Sequence, residues 1–331
     1  MEKGIADRVL KGDVQAAARM ISHIENETTQ AVRVMDVLYP HTGKAYIIGI
    51  TGPPGAGKSS LSDNLIRAFR ERDMTVGVVA IDPSSAFTGG AILGDRIRMQ
   101  KHCIDNGVFI RSLATRGWIG GLAKAAMGAI HVMDAMGKDI ILVETVGSGQ
   151  IEIDITKAAD TTLIVLTPGV GDEIQMMKAG ILEAADIFVV NKADKEGVDN
   201  VRLDLEVMLS MKTYHRNAWK PGIVLTVAIS DEGTGELVEE ILRHREYLLS
   251  SGDLEKRQRE RAKLELLETM EGYLNNYIHQ IDDGDYLEKL VEDMLQGRAT
   301  PHSATQDITG RFVTDLRKIK SRDKTRKKAN S

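Results

Sequence analysis

Residues Gly52-Pro53-Pro54-Gly55-Ala56-Gly57-Lys58-Ser59 set glycines, a lysine and a hydroxyl at the spacing G-x-x-x-x-G-K-[ST]. That spacing suits phosphate. Glycines let backbone N–H groups close on phosphate oxygens where a Cβ would stand in the way. Lys58 would reach the β- and γ-phosphates, and the Ser59 hydroxyl would ligate Mg²⁺. Ser60 follows in the same turn, so Gly52 to Ser60 form the candidate phosphate-contact set. A glycine turn that happens to carry a lysine is the plainer alternative. The context speaks against it: the apolar run Tyr46–Ile50 precedes the loop and an amphipathic stretch follows, as strand, loop and helix must for this motif to count.

A second set lies further along. Asn191-Lys192-Ala193-Asp194 directly follows the apolar run Ile187–Val190. The Asp194 carboxylate can accept from both N1–H and the 2-amino group of guanine, whereas adenine offers no such pair of donors. Lys192 would lay its stem along the base and Asn191 would hold the loop. A polar turn is the alternative.

Three carboxylates stand at or near strand ends: Asp82 before Pro83, Asp95 in a glycine-rich stretch, and Glu144 at the close of a buried apolar run. They can converge on one Mg²⁺ directly or through its waters. Asp82 also reads as a helix cap. Gly147 and Gln150 follow Glu144, where the Gly147 N–H would meet a γ-phosphate and Gln150 would orient the attacking water. The loop from Thr167 to Lys178, with Gly169, Gly171 and Asp172, is a second glycine-broken connection at a strand end. The eight histidines and the single Cys103 lack ligand spacing, so no transition-metal site is expected.

Parallel strands must position these residues. The predicted strands are 45–51, 75–82, 108–113, 139–145, 161–167, 187–191 and 223–227, alternating with helical segments. Continuous apolar runs suit strands buried on both faces, and the alternation predicts a doubly wound, mostly parallel α/β sheet with ligands beyond the strands' carboxyl ends. The predicted domains are an N-terminal helical extension (1–44), the α/β domain (45–250) and a C-terminal helical arm (251–331). Helices are expected from 1 to about 40, with Gly12-Asp13 as a break and cap and a short helix over 29–38 that closes at Tyr39-Pro40, then over 253–283, and over about 285–296 and 307–320 around a loop from Gly297 to Ser303. Leu267, Met270, Leu274, Tyr277 and Ile281 recur near heptad spacing. The basic run Arg317 to Lys328 reads as a frayed, solvated tail.

A formal net charge of −5 over 331 residues argues against nucleic acid as the partner. One cysteine excludes an internal disulfide and points to a reducing, cytoplasmic setting. No signal peptide or membrane-length apolar run is visible.

The runs GPPGAGKSSL, IDPSSAFTGGAILGDRIRM, LVETVGSGQIE and TPGVGDEIQMMKAGILEAADIFVVNKAD closely resemble the MeaB/ArgK family of P-loop GTPases across residues 45 to 250. These are chaperones of adenosylcobalamin-dependent methylmalonyl-CoA mutase, formerly called arginine/ornithine transport kinases. The resemblance implies GTP/GDP and Mg²⁺ as cofactors, with Lys58 and Ser59 on phosphate and metal. It implies that Asp82, Asp95 and Glu144 surround the metal and that Asn191, Lys192 and Asp194 read guanine. It further implies a partner-contacting switch over Thr167 to Lys178, a homodimer made through the C-terminal helices, and an acyl-CoA mutase as partner, with no nucleic acid or membrane. Ser148 and Ile151 stand where valine and serine are expected, and Phe87 and Ala91 lie in a segment usually more polar. A phosphotransferase linked to amino-acid transport is an alternative, but no residue nominates a base beside an acceptor pocket. A nickel-delivery GTPase is another, but the chain lacks histidine-rich or cysteine motifs.

Overall fold

The computed structural model describes residues 2–82, 100–102, 104–114, 121–145, 157–169, 184–215 and 218–329. Seven strands form one sheet: β1 (Tyr46–Thr51), β2 (Val76–Asp82), β3 (Val108–Ala114), β4 (Ile140–Glu144), β5 (Thr161–Leu166), β6 (Ile187–Asn191) and β7 (Gly222–Thr226). Their order is β3-β2-β4-β1-β5-β6-β7, and every pairing is parallel. The doubly wound α/β expectation holds. The described helices are α1 (Glu2–Leu10), α2 (Val14–Glu25), α3 (Thr29–Leu38), α4 (Lys58–Arg70), α5 (Gly121–Ala135), α6 (Val198–Met211), α7 (Thr234–Ser251), α8 (Asp253–Gln280), α9 (Asp285–Leu295) and α10 (Pro301–Ala329).

Alternation along β1 divides the core. Ile47 joins Val79, Ile141 and Val143 under α1, α2, α3 and α5, while Tyr46, Ile48 and Ile50 face Leu61, Leu65 and Phe69 of α4 and Leu237 and Ile241 of α7. The N-terminal helices therefore cover one face of the sheet. Asp13 caps α2 by accepting from Ala16 N–H at 3.0 Å, as the break at Gly12-Asp13 implied. The buried Asp134 of α5 accepts from the N–H groups of Gly43, Lys44 and Ala45 at 2.6, 3.2 and 3.0 Å, which fixes the chain's entry into β1.

The chain forms two compact units, residues 1–261 and 262–331. The division falls inside α8, whereas the composition changes after Ser250. Two arginines of the early turns of α8 explain this. Arg257 forks onto Asp186 at 2.7 and 2.8 Å, and Arg261 reaches Asp160 at 2.8 Å. Asp160 and Asp186 are themselves buried at the starts of β5 and β6, accepting from Ile47 and Thr162 N–H at 2.9 Å each.

In the second unit, Tyr277 of α8 donates to Asp315 of α10 at 2.9 Å and packs edge-on against Phe312. Leu267, Met270 and Leu274 are exposed while Ile281 is buried, so the heptad-like face is split. Two expectations are corrected here. The last helix starts at Pro301 rather than near 307, because Thr300 and Ser303 cap each other: Thr300 N–H donates to Ser303 Oγ at 2.9 Å and Ser303 N–H to Thr300 Oγ1 at 3.1 Å. A proline at the first helical position suits such a start. The basic run continues this helix to Ala329 rather than fraying; it contains neither glycine nor proline, and lysine and arginine are good helix formers. Among the described residues no helix is long and apolar enough to cross a membrane.

Candidate functional site

The carboxyl ends of β1, β4, β5 and β6 bring the predicted residues to one edge of the sheet. The loop Gly52–Gly57 joins β1 to α4 and passes close to its neighbours. At Gly52 (φ 144°) a Cβ would fall 2.1 Å from the carbonyl oxygen of Val165 on β5. At Gly57 (φ 89°), which opens α4, it would fall 2.2 Å from Asn191 Nδ2. Both positions require glycine by conformation and by space. Pro53 and Ala56 are buried, Pro54 and Gly55 exposed, and Ser60 half-buried in the first turn of the helix. Lys58 is buried, its Nζ donating to the carbonyls of Gly52 at 2.8 Å and Pro53 at 3.0 Å. A lysine curled over the loop at a helix N-terminus makes a cationic cradle suited to phosphate oxygens.

Beside it stands Glu144, the last residue of β4 and only 5 % exposed. Its register opposite Ile50 brings the carboxylate beneath the start of α4. Ser59 Oγ donates to Oε1 at 2.6 Å, and Ser62 Oγ donates to Oε2 at 2.8 Å. Thr145 follows, buried, its hydroxyl donating to Thr51 Oγ1 at 3.1 Å. The Ser59 hydroxyl and Glu144 carboxylate are hard oxygen donors of the kind Mg²⁺ takes, so the residues present fit that ion. Among the described residues no cluster of three histidine, cysteine or acidic side chains forms a self-contained metal site.

Asn191 ends β6 and is 2 % exposed. Its Nδ2 donates to Ala56 O at 2.8 Å; its Oδ1 accepts from Thr226 Oγ1 at 3.2 Å and from Ala228 N–H at 3.0 Å. Lys192, left-handed at φ 58°, donates from Nζ to Gly55 O at 2.7 Å. Asp194 is exposed. Loop and tetrapeptide are thus tied together by two side chains, leaving a carboxylate open to solvent beside them.

Thr167 follows β5 and is buried, and Gly169 takes φ 88°. Asp82 ends β2. Asp95, Gly147, Gln150, Gly171, Asp172 and Lys178 lie outside the described residues. Sequence reading passed over Ser62, Thr226 and Ala228. Ser62 had a local signal, one turn beyond Ser59 on the same helix face. The roles of Thr226 and Ala228 depend on pairing between β6 and β7, for which no local signal exists.

Comparison with known proteins shows the family and the fold. The sequence profile of the family described as "Methylmalonyl Co-A mutase-associated GTPase MeaB" matches residues 17–282. A protein of Pyrococcus abyssi that carries a GTPase name is 48% identical over 312 residues, covering 93% of this chain and 96% of its own. GTPase ArgK of Escherichia coli is 28% identical over 310 residues, covering 91% and 94%. The fold matches a crystal structure titled "LAO/AO transport system kinase" with a TM-score of 0.69 at 22% identity, covering 95% of this chain and 97% of the other. The chain belongs to the methylmalonyl-CoA mutase-associated GTPase family, the MeaB family.

Proposed function

We propose that this GTPase is a guanine-nucleotide switch that acts as chaperone of an adenosylcobalamin-dependent acyl-CoA mutase, gating cofactor loading or protecting and reactivating the enzyme. The observation that carries the nucleotide part is the Asn191 amide, which ties the Asn191–Asp194 loop to the Gly52–Ser59 loop at 2.8 Å. One ligand with phosphates at one end and a purine at the other would meet both. The mutase part is supported by the family description.

In this reading Gly52 to Ser60 surround the phosphates and Lys58 exchanges its carbonyl partners for phosphate oxygens. Ser59 and Glu144 hold Mg²⁺, with Asp82 and Asp95 around it; the ion would neutralise charge on the phosphates. Gly147 holds the γ-phosphate and Gln150 orients water. Asn191, Lys192 and Asp194 read guanine. Thr167, Gly169, Gly171, Asp172 and Lys178 form the partner-sensing loop. Exposed Leu267, Met270 and Leu274 support homodimerisation through the second unit; a monomer in light scattering would remove that element.

Two measurements test the proposal. Calorimetry should give GTP affinity far above ATP affinity, lost in Asp194→Asn with a gain for xanthosine nucleotides. An acyl-CoA mutase with bound cobalamin should accelerate phosphate release from GTP several-fold or more, and Lys178→Ala should blunt that response. Equal ATP and GTP affinity sinks the guanine reading, transfer of phosphate to an acceptor other than water makes the chain a kinase, and indifference to every acyl-CoA mutase removes the chaperone role.

A further inference from the structure

Among the described residues the sheet ends at β7, and that edge is only partly covered. Thr226 turns its carbonyl toward β6, accepting from Ala193 N–H at 3.0 Å. Because backbone groups alternate along a strand, Ile223 and Leu225 turn theirs the other way, off the sheet. Val227, next in that outward series, exchanges both of its bonds with Glu232, N–H to O at 3.0 Å and O from N–H at 3.3 Å, closing the edge at one end. The Leu225 carbonyl is crowded by Gly233, where a Cβ would fall 2.1 Å from its oxygen; among the described residues nothing pairs with Ile223 or with the Leu225 N–H on that side. An unpaired stretch of this kind is a template for a further strand.

The same edge floors a groove of about 1230 Å³ between β7 and α7. Besides Asp194, which is assigned above to guanine, its walls carry five carboxylates, Glu232, Glu236, Glu239, Glu240 and Glu246, against one guanidinium, Arg243. Glu236, Glu239, Glu240, Arg243 and Glu246 recur at helical spacing on one face of α7. Arg72 reaches Glu239 at 2.7 Å, and Arg243 pairs with Glu240 Oε2. Glu240 is only 8 % exposed, and its Oε1 is buried without a hydrogen-bond partner. That oxygen lies 2.4 Å from where a Cβ of Gly222 would sit, so glycine at the start of β7 makes room for it. A buried carboxylate oxygen left unpaired is costly unless something supplies a donor.

We propose that this groove is a docking site for an extended lysine- or arginine-bearing segment of a partner protein, added as a strand beside β7. Main-chain bonds to Ile223 and to the Leu225 N–H would give affinity, and alternate side chains facing α7 would deliver cations to its acidic face. The charge of the groove selects the occupant: an acidic or neutral strand would meet the same backbone but face uncompensated carboxylates. This docking goes beyond the nucleotide reading and does not rest on it.

Fluorescence anisotropy on the full chain, without nucleotide, tests the docking. The probe is a labelled peptide alternating lysine and valine over about six residues, an ordinary strand length. It should bind, and more weakly as salt rises. The same peptide N-methylated at alternate positions should lose about tenfold or more, because strand addition needs its N–H groups. A glutamate-for-lysine version should not bind. Glu236→Lys with Glu246→Lys, both exposed and tolerant of change, should weaken binding about tenfold or more with an unaltered unfolding midpoint. Failure of the lysine peptide to bind overturns the proposal. So does equal binding of the N-methylated peptide, which would leave charge attraction without strand addition, or equal binding by the doubly substituted chain, which would put the peptide elsewhere. Since nucleotide is absent, none of these outcomes bears on the guanine assignment.

Discussion

Asn191 Nδ2 and the carbonyl oxygen of Ala56 are 2.8 Å apart, joining the end of β6 to the middle of the loop after β1. The Asn191 amide works at both ends: its oxygen accepts from Thr226 and Ala228 while its nitrogen donates to Ala56. One buried side chain therefore sets the spacing between the loop after β1 and the loop after β6.

Asn191→Ala leaves the Ala56 carbonyl and the Ala228 N–H without these partners. Each buried polar group left unpaired costs roughly 1–3 kcal/mol. Urea unfolding should show that loss, and GTP affinity should fall further than stability alone explains, because the two loops lose their tie. Unchanged nucleotide affinity in a folded variant would show that the spacing is held by other contacts.

Glu144→Gln keeps the shape of the carboxylate that accepts from Ser59 and Ser62 but removes its charge. Hydrolysis should drop on the order of 10²-fold, while GDP affinity changes less, since charge placement matters most where phosphoryl charge develops. Ser62→Ala takes away one of two donors and should cost about 1 kcal/mol of stability with a much smaller effect on rate. Single-turnover phosphate release separates the two; equal rate losses would mean that Glu144 acts only through its position.

Arg261→Met should destabilise the first unit by roughly 3 kcal/mol, because it strands the carboxylate of Asp160, which is 1 % exposed. Adding Asp160→Asn to that variant should restore part of the loss, as a neutral amide needs no cation. Denaturant unfolding of the four chains in the cycle reads the coupling directly; simple additivity would rule the pair out as an anchor for α8.

His244 is fully buried among Thr161, Asp186, Trp219 and Tyr247, and its Nδ1 lies 2.8 Å from Thr161 Oγ1. Burial pushes its pKa from 6.5 down to about 4, with Asp186 pulling upward and Arg257 adding to the depression. The unfolded chain binds that proton more readily, so stability is complete above about pH 6.5 and declines as pH falls toward 4, by up to about 3 kcal/mol. His244→Phe should flatten the pH dependence of the unfolding free energy in that window. A slope identical to the parent's would assign the acid sensitivity to the carboxylates instead.

The sequence by itself determined the strands, the glycine loop after β1 and the polar residues at strand ends. Each is written in adjacent residues: Tyr46–Ile50 is continuously apolar, Gly52 to Ser59 is a local motif, and Asn191 directly follows Ile187–Val190. The helix boundaries at Gly12-Asp13 and Tyr39-Pro40 were legible for the same reason. The last helix starts before 307 because Thr300 and Ser303 cap each other around Pro301, a local signal that apolar periodicity does not carry. What only the tertiary structure decided is which distant groups share a space. That Glu144 meets Ser59 and Ser62, that Asn191 spans Ala56 and Ala228, and that Arg257 and Arg261 reach Asp186 and Asp160 all follow from the strand order β4-β1-β5-β6 and its register. Local propensity carries no signal for that order; it arises when apolar faces pack and buried polar groups must find partners across the sheet.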